Sequence, residues 1–303
     1  MNRFAAVVSS LLLCSGVAVS QFSASLDTSA GTSHLTMRFR AESFGGSTIT
    51  GAPYSAEEVD ENQQTLADGT HITQLLPTVK EYRDSMGRTR TERQPFNGGI
   101  TSGSQHLELP MLVEIEDPVA HFRYVLDPER NIAHRLEIKL REERSRSSQS
   151  GTVQSASGET VAANGPPGSG PATASASAAQ IKARTAARSA VDDALHPKSS
   201  SESLGTETME GVIVEGRRRT TTWPTGAVGN DRPLIATYEY WHSPALKIEI
   251  LSTTDDPRSG QHTHKVTNLN TSEPDAALFQ PPPGYTVKDE TGEFEISWST
   301  AQR

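Results

Sequence analysis

The chain has 303 residues, 34% hydrophobic and 21% charged, and its formal net charge at pH 7 is -9. The acidic balance argues against nucleic acid as a partner, because phosphate recognition requires a basic surface. The single cysteine, Cys14, excludes a disulfide framework, and the length suits one domain with accessory segments.

Residues 1–20 are predicted to be a signal peptide. A short basic start at Arg3 precedes an apolar run over residues 4–19, and the small residue Ser20 suits cleavage after it. Cys14 would leave with this peptide. We therefore expect a mature chain without a thiol or a transmembrane span, located in a bacterial periplasm or outside the cell.

Residues 21–144 are predicted to form the first half of an antiparallel sheet domain. Apolar and polar residues alternate over residues 33–42, which is typical of a half-buried strand. The dipeptide Asp68-Gly69 and the segment 84–87 are turn signals. They predict hairpins that join residues 63–66 to 71–75 and residues 79–83 to 88–93, followed by a short strand at 112–116.

The clearest hairpin lies in residues 119–140. Its turn, residues 127–131, contains Pro128, which presets φ, and Asn131, which tolerates left-handed backbone. Apolar residues alternate on both strands, and we expect the two sets to face one core. The first set is Phe122, Tyr124 and Leu126, and the second is Ile132, Leu136, Ile138 and Leu140.

Residues 145–203 form a low-complexity segment rich in Ser, Gly, Pro and Ala that contains no aromatic residue. Such a segment cannot bury enough apolar surface to offset its ordering entropy, so we predict a disordered insert. Within it, residues 175–195 are predicted either as a short helix or as structureless linker.

Residues 204–290 continue the same strand pattern and are predicted to form the second half of the sheet. Strands are expected at 212–214, 217–223, 235–242, 246–250 and 261–269, joined by short turns. Residues 291–303 are predicted to be a tail. The whole is a mainly β (α+β) fold: a curved antiparallel meander or half-barrel with a long disordered insert.

No pattern in the chain predicts catalysis, a metal or a cofactor. His262 and His264 share one face of a strand and, with His242, suit a metal site, but a solvent-facing strand is the simpler interpretation. Asp68-Gly69-Thr70 is more simply a hairpin turn than the triplet of an aspartic protease. Residues 99–103 lack the central serine of a hydrolase nucleophile elbow. Arg217–Arg219 is more simply a solvated strand edge than an anion-binding site.

The C-terminal block resembles the ending of periplasmic lipoprotein carriers of the LolA/LolB type. The resemblance lies in a strand at 246–250, a turn at 256–260, a strand ending at Leu269, and the segments 274–279 and 282–287, Pro-Asp-Ala-Ala-Leu-Phe and Pro-Pro-Gly-Tyr-Thr-Val. It implies an antiparallel half-barrel whose concave face holds apolar side chains under helical lids. Relatives bind acyl chains there, and some act as envelope-stress sensors.

We therefore expect a secreted, non-enzymatic envelope protein that binds an apolar ligand, a lipid or a lipoprotein acyl chain, on the concave sheet face. The alternative is a periplasmic sensor or scaffold that docks an envelope protein through sheet edges and the insert. The candidate ligand-binding residues are Phe122, Tyr124, Leu126, Ile132, Leu136, Ile248 and Ile250.

Overall fold

The structure is a computed structural model that describes residues 22–29, 32–40, 43–44, 48–94, 100–102, 105–107, 111–139, 182–184 and 195–301. The predicted signal peptide and most of the predicted insert lie outside these residues. Among them, no helix combines the length and the apolar composition needed to span a membrane.

The described residues contain nineteen strands, one short 3-10 helix and a helical segment at residues 182–184. The strands before the insert are β1 (Phe22–Ser29), β2 (Thr32–Phe39), β3 (Ser43–Phe44), β4 (Tyr54–Thr65), β5 (His71–Leu75), β6 (Val79–Arg83), β7 (Thr89–Arg93), β8 (Ile100–Ser102), β9 (Gln105–Leu107), β10 (Leu112–Asp117), β11 (Phe122–Asp127) and β12 (Ile132–Lys139). After it come β13 (Lys198–Met209), β14 (Val212–Trp223), β15 (Leu234–Ser243), β16 (Ile248–Asp256), β17 (Gly260–Asn270), the helix Ala276–Phe279, β18 (Thr286–Asp289) and β19 (Phe294–Ala301).

Fourteen strands form one open, curved sheet, which confirms the predicted fold class. Its order is β13-β14-β15-β16-β17-β4-β6-β7-β10-β11-β12-β18, with β5 beside β4 and β3 beside β12. From β15 to β12 in this order, neighbouring strands pair antiparallel, whereas β12 runs parallel to both β18 and β3. Separate sheets are formed by β1-β2-β19 and by β8-β9.

The two halves of the chain meet where β17 pairs antiparallel with β4. Val266 lies opposite Glu58, and His264 lies opposite Asp60. Strands from both sides of the insert therefore lie in one sheet. The insert lies in the chain between β12, near one edge of the sheet, and β13, at the other edge.

The predicted hairpin turns are confirmed. Gly69 and Asn131 adopt left-handed backbone, with φ of 84° and 52°, and the Asp68 carboxylate accepts a 2.9 Å hydrogen bond from the Thr70 N–H. At the next turn, Gly87 has a φ of 85° and its N–H donates to the Asp84 carbonyl. These residues fit because glycine and asparagine tolerate positive φ.

Three clusters of buried apolar side chains hold the sheet. The small-sheet cluster joins β2 and β19 to the large sheet and contains Leu35, Met37, Phe39, Leu112, Val125, Leu136, Phe294, Ile296 and Trp298. The helix cluster contains Ile115, Leu126, Ala133 and Phe279. The central cluster contains Ala52, Tyr54, Ala56, Val214, Trp241, Leu246, Ile248, Ile250 and Val266.

Within the C-terminal block, Ala276–Phe279 forms a single 3-10 helical turn. Asp275 caps it, accepting a 2.9 Å hydrogen bond from the Ala277 N–H, and Phe279 is fully buried against Ile115 and Leu126. The segment therefore closes one side of the sheet at β10–β12.

Residues 294–301, predicted as part of a tail, are instead the strand β19. Phe294, Ile296 and Trp298 alternate with polar residues and are at most 5% exposed. Their periodicity is that of a half-buried strand, and β2 supplies the partner, with Ile296 opposite Met37.

The boundary of the predicted insert also differs. Strand β13 begins at Lys198, inside the range 145–203, and its residues are exposed on both faces except for half-buried Leu204 and Met209. A polar strand of this kind is stable because its backbone groups pair with β14.

Residues 182–184, 195–198 and 222–234 belong to a second compact unit. Residues 182–184 are helical, inside the range 175–195 where a helix was one of two predictions. In the loop before β15, the Asn230 side-chain amide donates to the carbonyls of Pro224 and Arg232, at 2.8 and 2.6 Å.

Substitution of Gly216 by alanine tests the packing of the central cluster. A Cβ atom at Gly216 would lie 2.6 Å from the Trp241 ring. Because overpacking a buried contact forces neighbouring atoms to shift, we expect Gly216→Ala to lower the free energy of unfolding by about 1–3 kcal/mol in urea titrations.

The matched control is Gly292→Ala, where no atom lies within 4 Å of the added Cβ. It should change stability by less than about 0.5 kcal/mol. Equal effects of the two substitutions would contradict this account of Gly216.

Candidate functional site

The register of β11 and β12 separates residues that we expected on one face. Leu126 lies opposite Ala133, whereas Leu136 lies opposite Arg123. Directly paired residues share a face, so Tyr124 and Leu126 point to one side of the sheet and Leu136 to the other. The expectation that both apolar sets face one core is therefore wrong, because the register offsets the two sets by one residue.

The seven candidate ligand-binding residues accordingly fall into different surroundings. Leu126 belongs to the helix cluster, with Tyr124 packed against it, and Leu136 belongs to the small-sheet cluster. Phe122 is half-buried under the Arg135 guanidinium, which lies 4.5 Å from its ring centroid. These residues do not form one surface.

Ile248 and Ile250 differ from the other candidates because both belong to the central cluster. Ile132, the remaining candidate, is half-buried opposite Asp127. The central cluster draws side chains from the neighbouring strands β14, β15, β16, β17 and β4, and its members are at most 8% exposed. It is the widest apolar region of the large sheet.

Two carboxyl groups lie at the border of the central cluster. Glu58 is opposite Val266, and Glu81 is opposite Ala56. The Tyr54 hydroxyl donates a 2.9 Å hydrogen bond to Glu81, and the register places Glu58 and Glu81 on one face of the sheet, diagonally across the β4–β6 pairing. The apolar cluster is thus in direct contact with a carboxyl pair.

The electrostatic state of this pair is unusual. Burial first, and the Glu81 carboxylate second, raise the pKa of Glu58 to about 8, while His264 acts in the opposite direction. Burial also raises the pKa of Tyr54 well above its ordinary value. Glu58 is therefore protonated at neutral pH.

A second polar group extends from the pair along β17 and β4. His264 Nδ1 lies 3.1 Å and His262 Nε2 lies 3.4 Å from the Asp60 carboxylate. His262 Nδ1 is 2.9 Å from the Asn62 side-chain oxygen. Burial lowers the pKa of His264, but the hydrogen bond to Asp60 and the Glu58 carboxylate outweigh it, so the pKa is raised.

The polar surface continues across β15 and β16. The Tyr238 hydroxyl donates a 2.9 Å hydrogen bond to Glu249, and its ring stacks on Tyr240 at 5.4 Å. Burial first, and Glu249 second, raise the pKa of Tyr238 to about 12. Glu249 also acts electrostatically on His264, which links the two parts of the network.

This network of contacts could not be predicted from the sequence, because its members lie on different strands. Asp60 and His264 are 204 positions apart, and only the β17–β4 register brings them together. The sequence did place His262 and His264 on one face, but it could not supply their partners. Among the described residues, no group of three or more His, Cys, Asp or Glu side chains is arranged to hold a metal ion.

The remaining motifs have structural partners. Arg218 forms ion pairs with Glu202 at 3.0 Å and Glu239 at 2.8 Å, so it joins β13, β14 and β15. Of the glycine-flanked segment 99–103, only residues 100–102 are described, and they form β8.

No family model and no curated protein matches the chain. Among solved structures, it is similar to a LolA superfamily protein from Nitrosomonas europaea, with 9% identity and a TM-score of 0.24 over 77% of this chain and 92% of that chain. It is also similar to a putative outer membrane lipoprotein-sorting protein domain from Vibrio parahaemolyticus, with 8% identity and a TM-score of 0.22 over 74% and 88% of the two chains. Both are of the type whose ending the C-terminal block resembles.

Substitution of Glu58 by glutamine tests the raised pKa of the Glu58 carboxyl group. The ordinary pKa of 4.5 applies in the unfolded chain and a value of about 8 in the folded chain. The folded chain therefore binds more protons between these values, and the unfolding free energy should fall as pH rises through this window. The slope should be on the order of 1 kcal/mol per pH unit in urea titrations from pH 5 to 9.

Glu58→Gln should remove this contribution to the slope, because the amide is neutral at every pH. Glu57→Gln is the matched control, because Glu57 lies on the other face of β4, where it pairs with Lys80. This variant should keep the pH-dependent slope of the unfolding free energy. A slope unchanged by Glu58→Gln would show that Glu58 does not hold the proton.

Proposed function

We propose that the protein is a secreted, non-enzymatic envelope protein that binds an apolar ligand, a lipid or a lipoprotein acyl chain, at the central cluster of its curved sheet. The observation that supports this is the extent of the cluster, which draws nine apolar residues from five neighbouring strands and the segments beside them. It includes Ile248 and Ile250 from the sequence-based candidates.

The size of the cluster suits an acyl chain. Strands are spaced about 4.8 Å apart, so four steps from β14 to β4 span about 19 Å along the sheet. One leaflet of a bilayer has a hydrocarbon thickness of about 15 Å, which is the reach of its acyl chains. Each methylene transferred from water to such a surface contributes about 0.8 kcal/mol.

Ligand entry requires neighbouring groups to move, because the cluster is buried. Leu204, Met209 and Val212, on the β13–β14 hairpin, pack against it. This hairpin lies at the edge of the large sheet. Its displacement disrupts fewer strand pairings than that of any internal strand, so we assign it the role of opening the site.

Tryptophan fluorescence tests the location of the ligand. The chain has three tryptophans, and Trp241 is in the central cluster whereas Trp298 is in the small-sheet cluster. In a Trp223→Phe/Trp298→Phe variant, a lysophosphatidylcholine with a brominated acyl chain should quench Trp241 by more than half at saturation, because bromine quenches on contact.

The control is Trp223→Phe/Trp241→Phe, in which Trp298 should be quenched little. Circular dichroism establishes that both variants are folded. Equal quenching of Trp241 and Trp298, or none of either, would contradict a ligand site at the central cluster. Native mass spectrometry of protein from its own envelope would then identify the natural ligand.

A second candidate function, a sensor or scaffold that docks an envelope protein, is favoured by β13. It is a twelve-residue edge strand whose residues are mostly exposed. Its outer backbone groups are available for strand addition by a partner, since β14 pairs with one side only.

Site-specific photocrosslinking in the native envelope distinguishes this candidate. A photoreactive residue at exposed Ser201, on the edge strand, should give one discrete protein adduct, whereas one at exposed Lys265, on the internal strand β17, should give none. Deletion of residues 145–194, which leaves β13 intact, shows whether the insert contributes. Equal adducts at both positions would contradict docking through β13.

A further inference from the structure

One face of the large sheet carries two rows of polar side chains that cross β15, β16, β17 and β4. Residues directly opposite each other on paired strands share a face, and so do residues two positions apart on one strand. We call this surface the polar rows. The first row is Tyr240, Ser252, His264 and Asp60, and the second is Tyr238, Thr254, His262 and Asn62.

The polar rows are continuous with the central cluster. Val266 lies two positions beyond His264 on β17, and Ala56 lies four positions before Asp60 on β4. Strand periodicity therefore places these two members of the central cluster on the face of the rows. A lipid whose acyl chain lay on the central cluster would have its head group beside the polar rows.

The rows are partly withdrawn from solvent and keep unused hydrogen-bonding capacity. Ser252 and His264 are 7% and 9% exposed, and the other six side chains are half-buried. No other side chain in the described part of the molecule is hydrogen-bonded to the hydroxyl groups of Tyr240 and Thr254. A hydroxyl group both donates and accepts, so these two groups can serve a ligand of either kind.

The charges within the rows are already matched to one another. The Asp60 carboxylate is the only acidic group of the eight, and it lies 3.1 Å from His264 Nδ1 and 3.4 Å from His262 Nε2. The rows contain neither lysine nor arginine. A phosphate would meet the Asp60 carboxylate without an arginine to neutralise it, and an ammonium group would compete with two imidazoles. The rows therefore suit a neutral polar group.

The tyrosine pair adds an aromatic surface at one end of the rows. The Tyr238 and Tyr240 rings stack with centroids 5.4 Å apart. Tyr238 is engaged further, because its hydroxyl donates to Glu249 at 2.9 Å and the Arg219 guanidinium lies 5.9 Å from its ring centroid. Among the described residues, Tyr240 has no ring or cation contact besides Tyr238, so its second ring face can receive a ligand.

We propose that the polar rows bind the sugar head group of a glycolipid whose acyl chain lies on the central cluster. This inference rests on the proposed function and names the class of lipid. A sugar ring presents a C–H face that packs on an aromatic ring such as Tyr240, and hydroxyl groups that both donate and accept. It brings no charge, so it adds no unpaired ion to a half-buried surface.

The experiment uses the variant with Trp241 as its only tryptophan, quenched by the brominated lysophosphatidylcholine. Dodecyl maltoside and dodecylphosphocholine have the same alkyl chain but a sugar and a zwitterionic phosphate head group. Each is added below its critical micelle concentration, and the recovery of Trp241 fluorescence as it displaces the brominated lipid gives its dissociation constant. We expect dodecyl maltoside to bind about tenfold more tightly, because its head group forms one or two more net hydrogen bonds.

A double variant tests the rows themselves. Tyr240→Phe/Thr254→Val removes two hydroxyl groups and keeps the shape of both side chains. It should bring the two dissociation constants to within about twofold of each other, by weakening the binding of dodecyl maltoside alone. The matched control is Thr253→Val, on the other face of β16 opposite Thr263, which should keep the full preference.

The outcomes separate this inference from the proposed function. No quenching of Trp241 by the brominated lipid overturns the proposed function. Quenching with equal dissociation constants for the two detergents, or with a preference that the double variant leaves unchanged, overturns sugar binding at the polar rows alone. If the double variant does not fold, Tyr240→Phe by itself replaces it and should lower the preference about threefold.

Discussion

The pairing of β17 with β4 is the constraint on which the rest of the structure depends. These strands come from opposite sides of the insert, and their ladder joins two sets of strands into one sheet. The pairing places Val266 beside Tyr54 and Ala56, which completes the central cluster. It also places His264 beside Asp60, so the apolar site and its polar border arise from the same contact.

The ends of the described chain stabilise the other part of the sheet. Strands β2 and β19 pair in a small sheet, and their apolar face packs on Leu112, Val125 and Leu136. Full burial of side chains such as Trp298 contributes about 1.5–3 kcal/mol each. On the other side, Phe279 packs on Leu126. Strands β10–β12 are therefore covered on both faces, which leaves them less able to act as a ligand surface.

The central region combines apolar burial with unusual protonation. Burial first, and Glu81 second, raise the pKa of Glu58. Burial lowers the pKa of His264, but Asp60 and Glu58 outweigh it and raise that pKa. A different arrangement occurs at β7, β10 and β11, where Glu114 is paired with both Arg93, at 3.0 Å, and Arg123. Arginine partners stabilise the charged form of a carboxylate, whereas burial favours the protonated form, as it does at Glu58.

The sequence by itself determined the local elements. Alternation and turn residues such as Gly69 and Asn131 specify the hairpins, and Asp275 with Phe279 specifies the C-terminal helical turn, because these signals act between residues close in the chain. The same alternation in Phe294, Ile296 and Trp298 indicates a half-buried strand, and β2 supplies its partner. Only the tertiary structure decided the register, which separated Leu136 from Leu126, and the partners of Glu58 and His264. Those contacts join residues far apart in the chain, and a one-residue shift in pairing would reverse the face on which each side chain lies.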